Sequence, residues 1–127
     1  MNKIYVVEDN KTESLLLKLS LSGISNIQIS EFPDEQSLLN AIDADPPSIF
    51  IADLNLPDLD GKEVIKQALA KVPKLEVIVV SAQENVYKIG ELQEMGIYNY
   101  VVKSESCLKY LKKVIDDLVL FIDAKHG

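Results

Sequence analysis

The sequence predicts an α/β fold in which a five-stranded parallel sheet is doubly wound, with helices on both faces. Residues 49–52 form a short apolar run without polar alternation that stops at Asp53, a pattern typical of a strand buried on both faces. Residues 76–80 form a second continuous run, rich in β-branched side chains. Between the strand-like runs lie segments with apolar residues at three- and four-residue spacing, the pattern of an amphipathic helix. Strands that alternate with helices in this way indicate a parallel sheet.

Five strands and five helices account for the whole chain. The strands are predicted at residues 3–7, 26–31, 49–53, 76–80 and 97–102. The helices are predicted from an Asn10 cap to Gly23, from Pro33-Asp34 to about 43, from an Asp60 cap to about 72, from about 84 to 94, and from a Ser104 cap to about 124. The strict alternation in the second strand favours a half-covered edge strand. The common order for five such units is 2-1-3-4-5, the flavodoxin-like arrangement, which opens a crevice between strands 1 and 3.

The first helix carries two local predictions. Asn10 and Glu13 have the spacing of a capping box, in which each side chain accepts a hydrogen bond from the backbone N–H of the other residue. The apolar spacing predicts which side chains form the buried face. They are Leu15, Leu16, Leu19 and Ile24.

The last helix has more apolar residues than one buried face needs. The predicted inward stripe consists of Leu108, Leu111, Ile115, Leu118 and Ile122. The apolar residues outside this stripe are Val114, Val119, Leu120 and Phe121. A contiguous apolar patch on a small domain marks a partner surface. We therefore expect a protein-binding surface, homodimeric or for another protein, on the fourth helix, fifth strand and fifth helix.

Size and composition restrict the classes of function. The 127 residues have room for one domain, which we expect to span residues 1–127. A formal net charge of −7 and the lack of arginine disfavour nucleic-acid binding by this domain. No apolar stretch is long enough to predict a membrane span. The single cysteine, Cys107, fits the reducing cytoplasm, where we expect the protein to be located.

Polar residues follow four of the predicted strands. Glu8-Asp9 follows strand 1, Asp53 ends strand 3, and Ser81 and Lys103 follow strands 4 and 5. The carboxyl ends of parallel strands meet at one edge of the sheet, where open α/β folds bind their ligands. We therefore expect carboxylates, a hydroxyl and an ammonium group to lie close together.

The acidic part of this constellation predicts a magnesium site. Crowded carboxylates repel one another unless a cation lies between them, and Mg²⁺ prefers oxygen donors of this kind. We predict Asp9 and Asp53 as direct ligands and Glu8 as a ligand through water. The main-chain carbonyl of Asn55 is the further predicted ligand.

A carboxylate in this setting can act as a nucleophile toward a phosphoryl group. Asp53 is the candidate acceptor, Lys103 would neutralise a phosphoryl oxygen, and Ser81 would donate a hydrogen bond to another. A protein promotes phosphoryl transfer mainly by positioning the reactants and neutralising charge, so these groups suffice for the reaction.

The chain resembles the receiver domains of two-component response regulators over essentially its whole length, including chemotaxis-type single-domain receivers. The matching positions are Glu8-Asp9, Asp53 within Asp-Leu-Asn-Leu-Pro-Asp-Leu-Asp-Gly, Ser81-Ala82, Tyr100 and Lys103. The resemblance implies Mg²⁺, a phosphoryl donor on a sensor histidine kinase or histidine phosphotransfer protein, and a two-state switch. It also implies that Ser81 moves toward the phosphoryl group while Tyr100 turns inward. Such a protein catalyses its own phosphorylation and dephosphorylation and turns over no external substrate.

One position departs from the family pattern. Ser104 follows Lys103, where the family usually has a proline after a cis bond. A cis bond before a non-proline residue costs about 2.5–4 kcal/mol, so we predict a trans Lys103–Ser104 bond, with Lys103 still reaching the site. Asn55 and Gln83 flank the acceptor and are candidates for positioning the water that hydrolyses the phosphoaspartate, although both could be ordinary loop amides.

Two other function classes stay open. A Mg²⁺-dependent phosphatase could also use Asp53 as its nucleophile. Haloacid-dehalogenase-like phosphatases, however, need an acid/base aspartate two residues after the nucleophile, where this chain has Asn55. A receiver-like adaptor could bind partners without phosphorylation, but a complete acidic site would then have no role.

Overall fold

The computed structural model describes residues 2–8, 10–53, 61–82 and 86–126. Strands and helices alternate along the chain. The strands are β1 (Asn2–Val7), β2 (Ile27–Phe32), β3 (Ile49–Asp53), β4 (Glu76–Ser81) and β5 (Asn99–Val102). The helices are α1 (Lys11–Leu21), α2 (Glu35–Ala44), α3 (Gly61–Lys71), α4 (Val86–Glu94) and α5 (Cys107–His126). The predicted Asp60 cap of α3 lies outside the described residues.

The strands form one parallel sheet in the order β2-β1-β3-β4-β5, which confirms the predicted doubly wound fold. β2 lies at an edge, as its alternating sequence predicted. β3 lies in the centre, and all five of its residues are buried. Because the chain moves outward in opposite directions from β1 and from β3, a crevice opens at the carboxyl ends of these two strands.

The register of the sheet brings the polar strand ends together. Asp53, the last residue of β3, pairs with Val80. Ser81 ends β4 and pairs with Val102, the last residue of β5. Lys103 therefore begins the loop directly beside Ser81, and its backbone N–H donates to the Ser81 carbonyl at 2.8 Å.

The core consists of two apolar layers, one on each face of the sheet. β3 contributes alternately to both, with Ile49 and Ile51 on the α1–α5 side and Phe50 on the side of α2, α3 and α4. This two-sided burial explains why its sequence is apolar without alternation.

The buried face of α1 differs from the prediction. Leu15, Leu16 and Leu19 are 56%, 47% and 60% exposed. Leu17 and Leu21 are buried instead, while Ile24, beyond the helix, is buried as predicted. Both sets of leucines have helical spacing, so periodicity alone did not distinguish them. The exposed set forms an apolar face on the outside of the domain.

The final helix begins later than predicted. Ser104 does not cap it; residues 104–106 form a turn, and α5 starts at Cys107. The predicted stripe is buried from Leu111 onward, and Leu108 is half-buried against it. Val114 and Val119, outside the predicted stripe, are also buried, so the buried face of α5 is wider than predicted. Only two of the four extra apolar residues are exposed, Leu120 and Phe121.

The link between β5 and α5 follows the predicted backbone geometry. The Lys103–Ser104 peptide bond is trans, and the described residues contain no cis peptide bond.

Among the helices of the described ranges, none has the length and apolar character needed to cross a membrane.

Candidate functional site

Asp53 and Lys103 meet at the carboxyl edge of the sheet. Asp53 is 5% exposed, and the Lys103 Nζ lies 2.9 Å from its Oδ2. A carboxylate is stable at such depth only with compensating partners, and an ammonium at this distance is one. Asp53 and Lys103, 50 positions apart in sequence, are thus brought together as predicted.

Glu8 completes part of the predicted acidic group. One oxygen from each of Glu8, Glu13 and Asp53 lies within 4.8 Å of the others. Carboxylate oxygens are the donors that Mg²⁺ prefers, so this described part of the site fits a hard divalent cation. The predicted ligands Asp9 and Asn55 lie outside the described residues.

Glu13 is a member of the site that the sequence did not identify. The Asn10 side chain caps α1, accepting from the Glu13 N–H at 3.0 Å. The predicted return bond from the Asn10 N–H goes instead to Glu8 Oε1, also at 3.0 Å. The Glu13 carboxylate lies toward Lys103, with 3.8 Å between Oε2 and Nζ. Its place in the first turn after the acidic end of β1 was the signal that could have indicated this.

The concentration of negative charge affects two titrating groups. The pKa of Glu8 is raised to about 7, mainly because the group is buried; the Asp53 and Glu13 carboxylates also raise it, whereas the Asn10 N–H lowers it. Burial lowers the pKa of the Lys103 ammonium, but its hydrogen bond to Asp53 and the nearby carboxylates outweigh burial, so the pKa is raised. Lys103 therefore remains a cation at neutral pH.

The two predicted switch residues lie on β4, which pairs with the strand of the acceptor, and on β5 beyond it. Ser81, 1% exposed, lies at the end of β4 and is close to the site through the register described above. Tyr100 is half-buried in β5, against the apolar layer of α2, α3 and α4. Gln83, the second candidate for hydrolysis, lies outside the described residues.

An apolar cavity of about 290 Å³ opens beside Asp53 and Lys103. It lies between α1, α5 and the sheet, and its walls include Leu16, Cys107 and Leu108. Ser104, the first residue of the exposed turn before α5, also lines it. The sequence did not predict this cavity.

Comparison with known proteins identifies the family. The family model described as "Response regulator receiver domain" matches residues 4–115. This chain belongs to that family. Receiver domains are signalling switches of two-component systems rather than enzymes that turn over an external substrate, and they bind Mg²⁺ in an acidic pocket. The extension of the domain over residues 1–127 remains a prediction.

Individual relatives agree with this assignment. The DNA-binding transcriptional regulator NtrC of Escherichia coli (strain K12) is 24% identical over 100 residues, which is 79% of this chain and 21% of NtrC. The chain thus spans about a fifth of that relative's length. The Mn(2+)-bound form of response regulator Rcp1 has a TM-score of 0.77 at 23% identity, covering 93% of this chain and 91% of Rcp1. The phosphorylated cyanobacterial phytochrome response regulator RcpA has a TM-score of 0.74 at 25% identity, covering 92% and 90%.

The raised pKa of Glu8 predicts a pH-dependent stability in the absence of metal. The folded protein holds a proton on Glu8 between pH 4.5 and about 7, where the unfolded chain has released it. This contribution is therefore complete below pH 4.5 and is lost as the pH rises through about 7.

Urea unfolding in EDTA, compared between the wild type and Glu8→Gln, measures this contribution. The wild type should lose stability relative to the variant as the pH rises from 5 to 7.5. Parallel pH profiles for the two proteins would contradict the assignment.

Proposed function

We propose that this receiver domain accepts a phosphoryl group on Asp53 and works as a phosphorylation-controlled switch. The observation that carries the proposal is the 2.9 Å contact between the buried Asp53 carboxylate and the Lys103 ammonium, with two further carboxylates beside it. An aspartate that only caps or ends a turn does not need an ammonium and two further carboxylates beside it. A nucleophile for phosphoryl transfer needs both a cation to neutralise the phosphoryl oxygens and a site for a metal.

The proposed reaction follows from this arrangement. An Asp53 oxygen attacks phosphorus, and the bond from phosphorus to the donor's nitrogen or oxygen breaks, with its electron pair leaving on the donor. Lys103 moves from the carboxylate to a phosphoryl oxygen, and Ser81 donates its hydroxyl hydrogen to another. Glu8, Asp9, Asp53 and the Asn55 carbonyl would hold Mg²⁺, which when bound neutralises negative charge on the phosphoryl oxygens.

The protein that supplies the phosphoryl group is proposed to dock over α1. A sensor histidine kinase or histidine phosphotransfer protein must bring its phosphohistidine to Asp53, so its contact surface must border the cavity. Leu16 lines that cavity, and Leu15 and Leu19 extend the apolar surface outward along the same helix. Exposed leucines on a small domain are best explained by a partner when they form one patch.

The output surface is proposed to comprise α4, β5 and α5. One exposed tyrosine lies on or next to each element: Tyr87 on α4, Tyr98 before β5 and Tyr110 on α5. Leu120 and Phe121 add apolar area on α5. Aromatic side chains are enriched in protein interfaces. Ser81 precedes α4 and Tyr100 lies in β5, so a change at either residue would reach this surface, which binds a downstream protein or a second copy of the chain.

Asp53→Asn tests the acceptor. The substitution should abolish Mg²⁺-dependent labelling by acetyl phosphate, because the amide is a poor nucleophile, and should leave the fold intact. Acid-labile phosphate and intact mass measure labelling, and circular dichroism monitors folding. Labelling of the variant at the wild-type rate would refute the acceptor, and an unlabelled wild type would favour a phosphorylation-independent adaptor.

Replacement of Leu120 and Phe121 by serine tests the output surface. Both side chains are exposed, so the double variant should fold, although Phe121 loses the contact of its ring with the Lys125 ammonium at 4.4 Å. We expect reduced self-association or partner docking of the phosphorylated protein, because apolar contact area is lost.

Sedimentation with and without acetyl phosphate measures self-association, and docking of a histidine phosphotransfer protein is measured separately. The matched control is the double variant Leu15→Ser and Leu19→Ser, which removes similarly exposed leucines from α1, outside the proposed output surface, and should affect only phosphotransfer from the donor protein. Self-association of the phosphorylated Leu120 and Phe121 variant equal to that of the wild type would exclude the proposed role in self-association.

A further inference from the structure

The Glu13 carboxylate does not accept the hydrogen bond that its position at the start of α1 predicts. At the third position after a cap, a glutamate ordinarily accepts a hydrogen bond from the backbone N–H of the capping residue. Here that N–H, on Asn10, donates to Glu8 Oε1. The Glu13 side chain is therefore available to the phosphorylation site, where its Oε2 lies 3.8 Å from Lys103 Nζ.

Two carboxylates of different character lie near the Lys103 ammonium. Asp53 is buried and contacts the ammonium at 2.9 Å, whereas the Glu13 side chain is 52% exposed and contacts it at a longer distance. Phosphoryl transfer requires Lys103 to exchange its contact with Asp53 for one with a phosphoryl oxygen. A second carboxylate near the ammonium competes for it and repels the incoming phosphoryl group.

The same charge has the opposite effect on a cation. Glu13 presents an oxygen within 4.8 Å of oxygens from Glu8 and Asp53. The negative charge of Glu13 therefore favours the binding of a divalent cation among these three carboxylates, even without direct contact with the ion. Glu13 thus opposes one step of the proposed reaction while supporting another.

We propose that Glu13 is a positioning residue of the phosphorylation site, which restrains Lys103 and repels the phosphoryl group while it strengthens Mg²⁺ binding. The inference rests on the proposed function of Asp53. Glu13, an acidic residue of α1, thus sets both the rate of phosphorylation and the Mg²⁺ concentration at which phosphorylation occurs.

Glu13→Gln tests the assignment, because glutamine keeps the size of the side chain and removes its charge. The matched control is Glu105→Gln, which neutralises an exposed acidic residue two positions after Lys103. Two quantities are measured on the full chain at low ionic strength. Calorimetric titration gives the Kd for Mg²⁺ without any phosphodonor, and acetyl phosphate gives the rate of labelling at saturating Mg²⁺.

The variant should bind Mg²⁺ more weakly than the wild type and yet be labelled faster. In Glu13→Gln the Kd for Mg²⁺ should rise about two- to fivefold and the labelling rate at saturating Mg²⁺ should also rise about two- to fivefold, the range of an exposed ion pair. Glu105→Gln should change neither value by as much. A merely structural role of Glu13 would weaken Mg²⁺ binding and slow labelling together.

Weaker Mg²⁺ binding with slower labelling, or no change in either value, would overturn the proposal. Failure of the proposed function itself gives a different result, since Asp53→Asn would then be labelled or the wild type would not. The two failures can therefore be distinguished with one set of proteins.

Discussion

The contact between the buried Asp53 carboxylate and the Lys103 ammonium is the interaction on which the rest of the site depends. A carboxylate at the end of the central strand has little access to water, so it requires a cation or hydrogen-bond donors. The parallel register supplies the cation, since β5 ends beside β4 and Lys103 begins the next loop. The hydrogen bond from the Lys103 N–H to the Ser81 carbonyl fixes the backbone from which the side chain extends. The register of the strands thus forms the Asp53–Lys103 ion pair on which the proposed reaction depends.

The charge balance around this pair is the physical basis of the proposed switch. Three carboxylates share one close ammonium group in the described part of the site, so negative charge is in excess. Protonation of Glu8, whose pKa burial raises to about 7, relieves this excess partly, and a divalent cation would relieve it further. In the proposed reaction, a phosphoryl group on Asp53 would change both the number of anionic oxygens and the position that Lys103 must occupy. Ser81 on the adjacent strand β4 and Tyr100 on β5 beyond it are the residues proposed to respond to that change.

Much of the fold and of the site could be predicted from the sequence, because both depend on patterns that physics restricts strongly. An apolar run without alternation, as in β3, has few solutions other than a central parallel strand, and its polar end then faces the ligand edge. The face of α1 was ambiguous, because Leu15, Leu16 and Leu19 share the helical spacing of Leu17 and Leu21. Only packing against α5 and the sheet decides between the two sets. Glu13 was missed for a related reason: its capping role depends on a donor that Glu8 takes, and competition of this kind is visible only in three dimensions.

A structure determined with Mg²⁺ and beryllofluoride, a mimic of the phosphoryl group, tests the central claim most directly. The account predicts the beryllium on an Asp53 oxygen, with Lys103 Nζ moved from Oδ2 to a fluorine atom and the Ser81 hydroxyl near another. Beryllofluoride bound at a different residue, or bound at Asp53 with Lys103 still on the carboxylate, would contradict it.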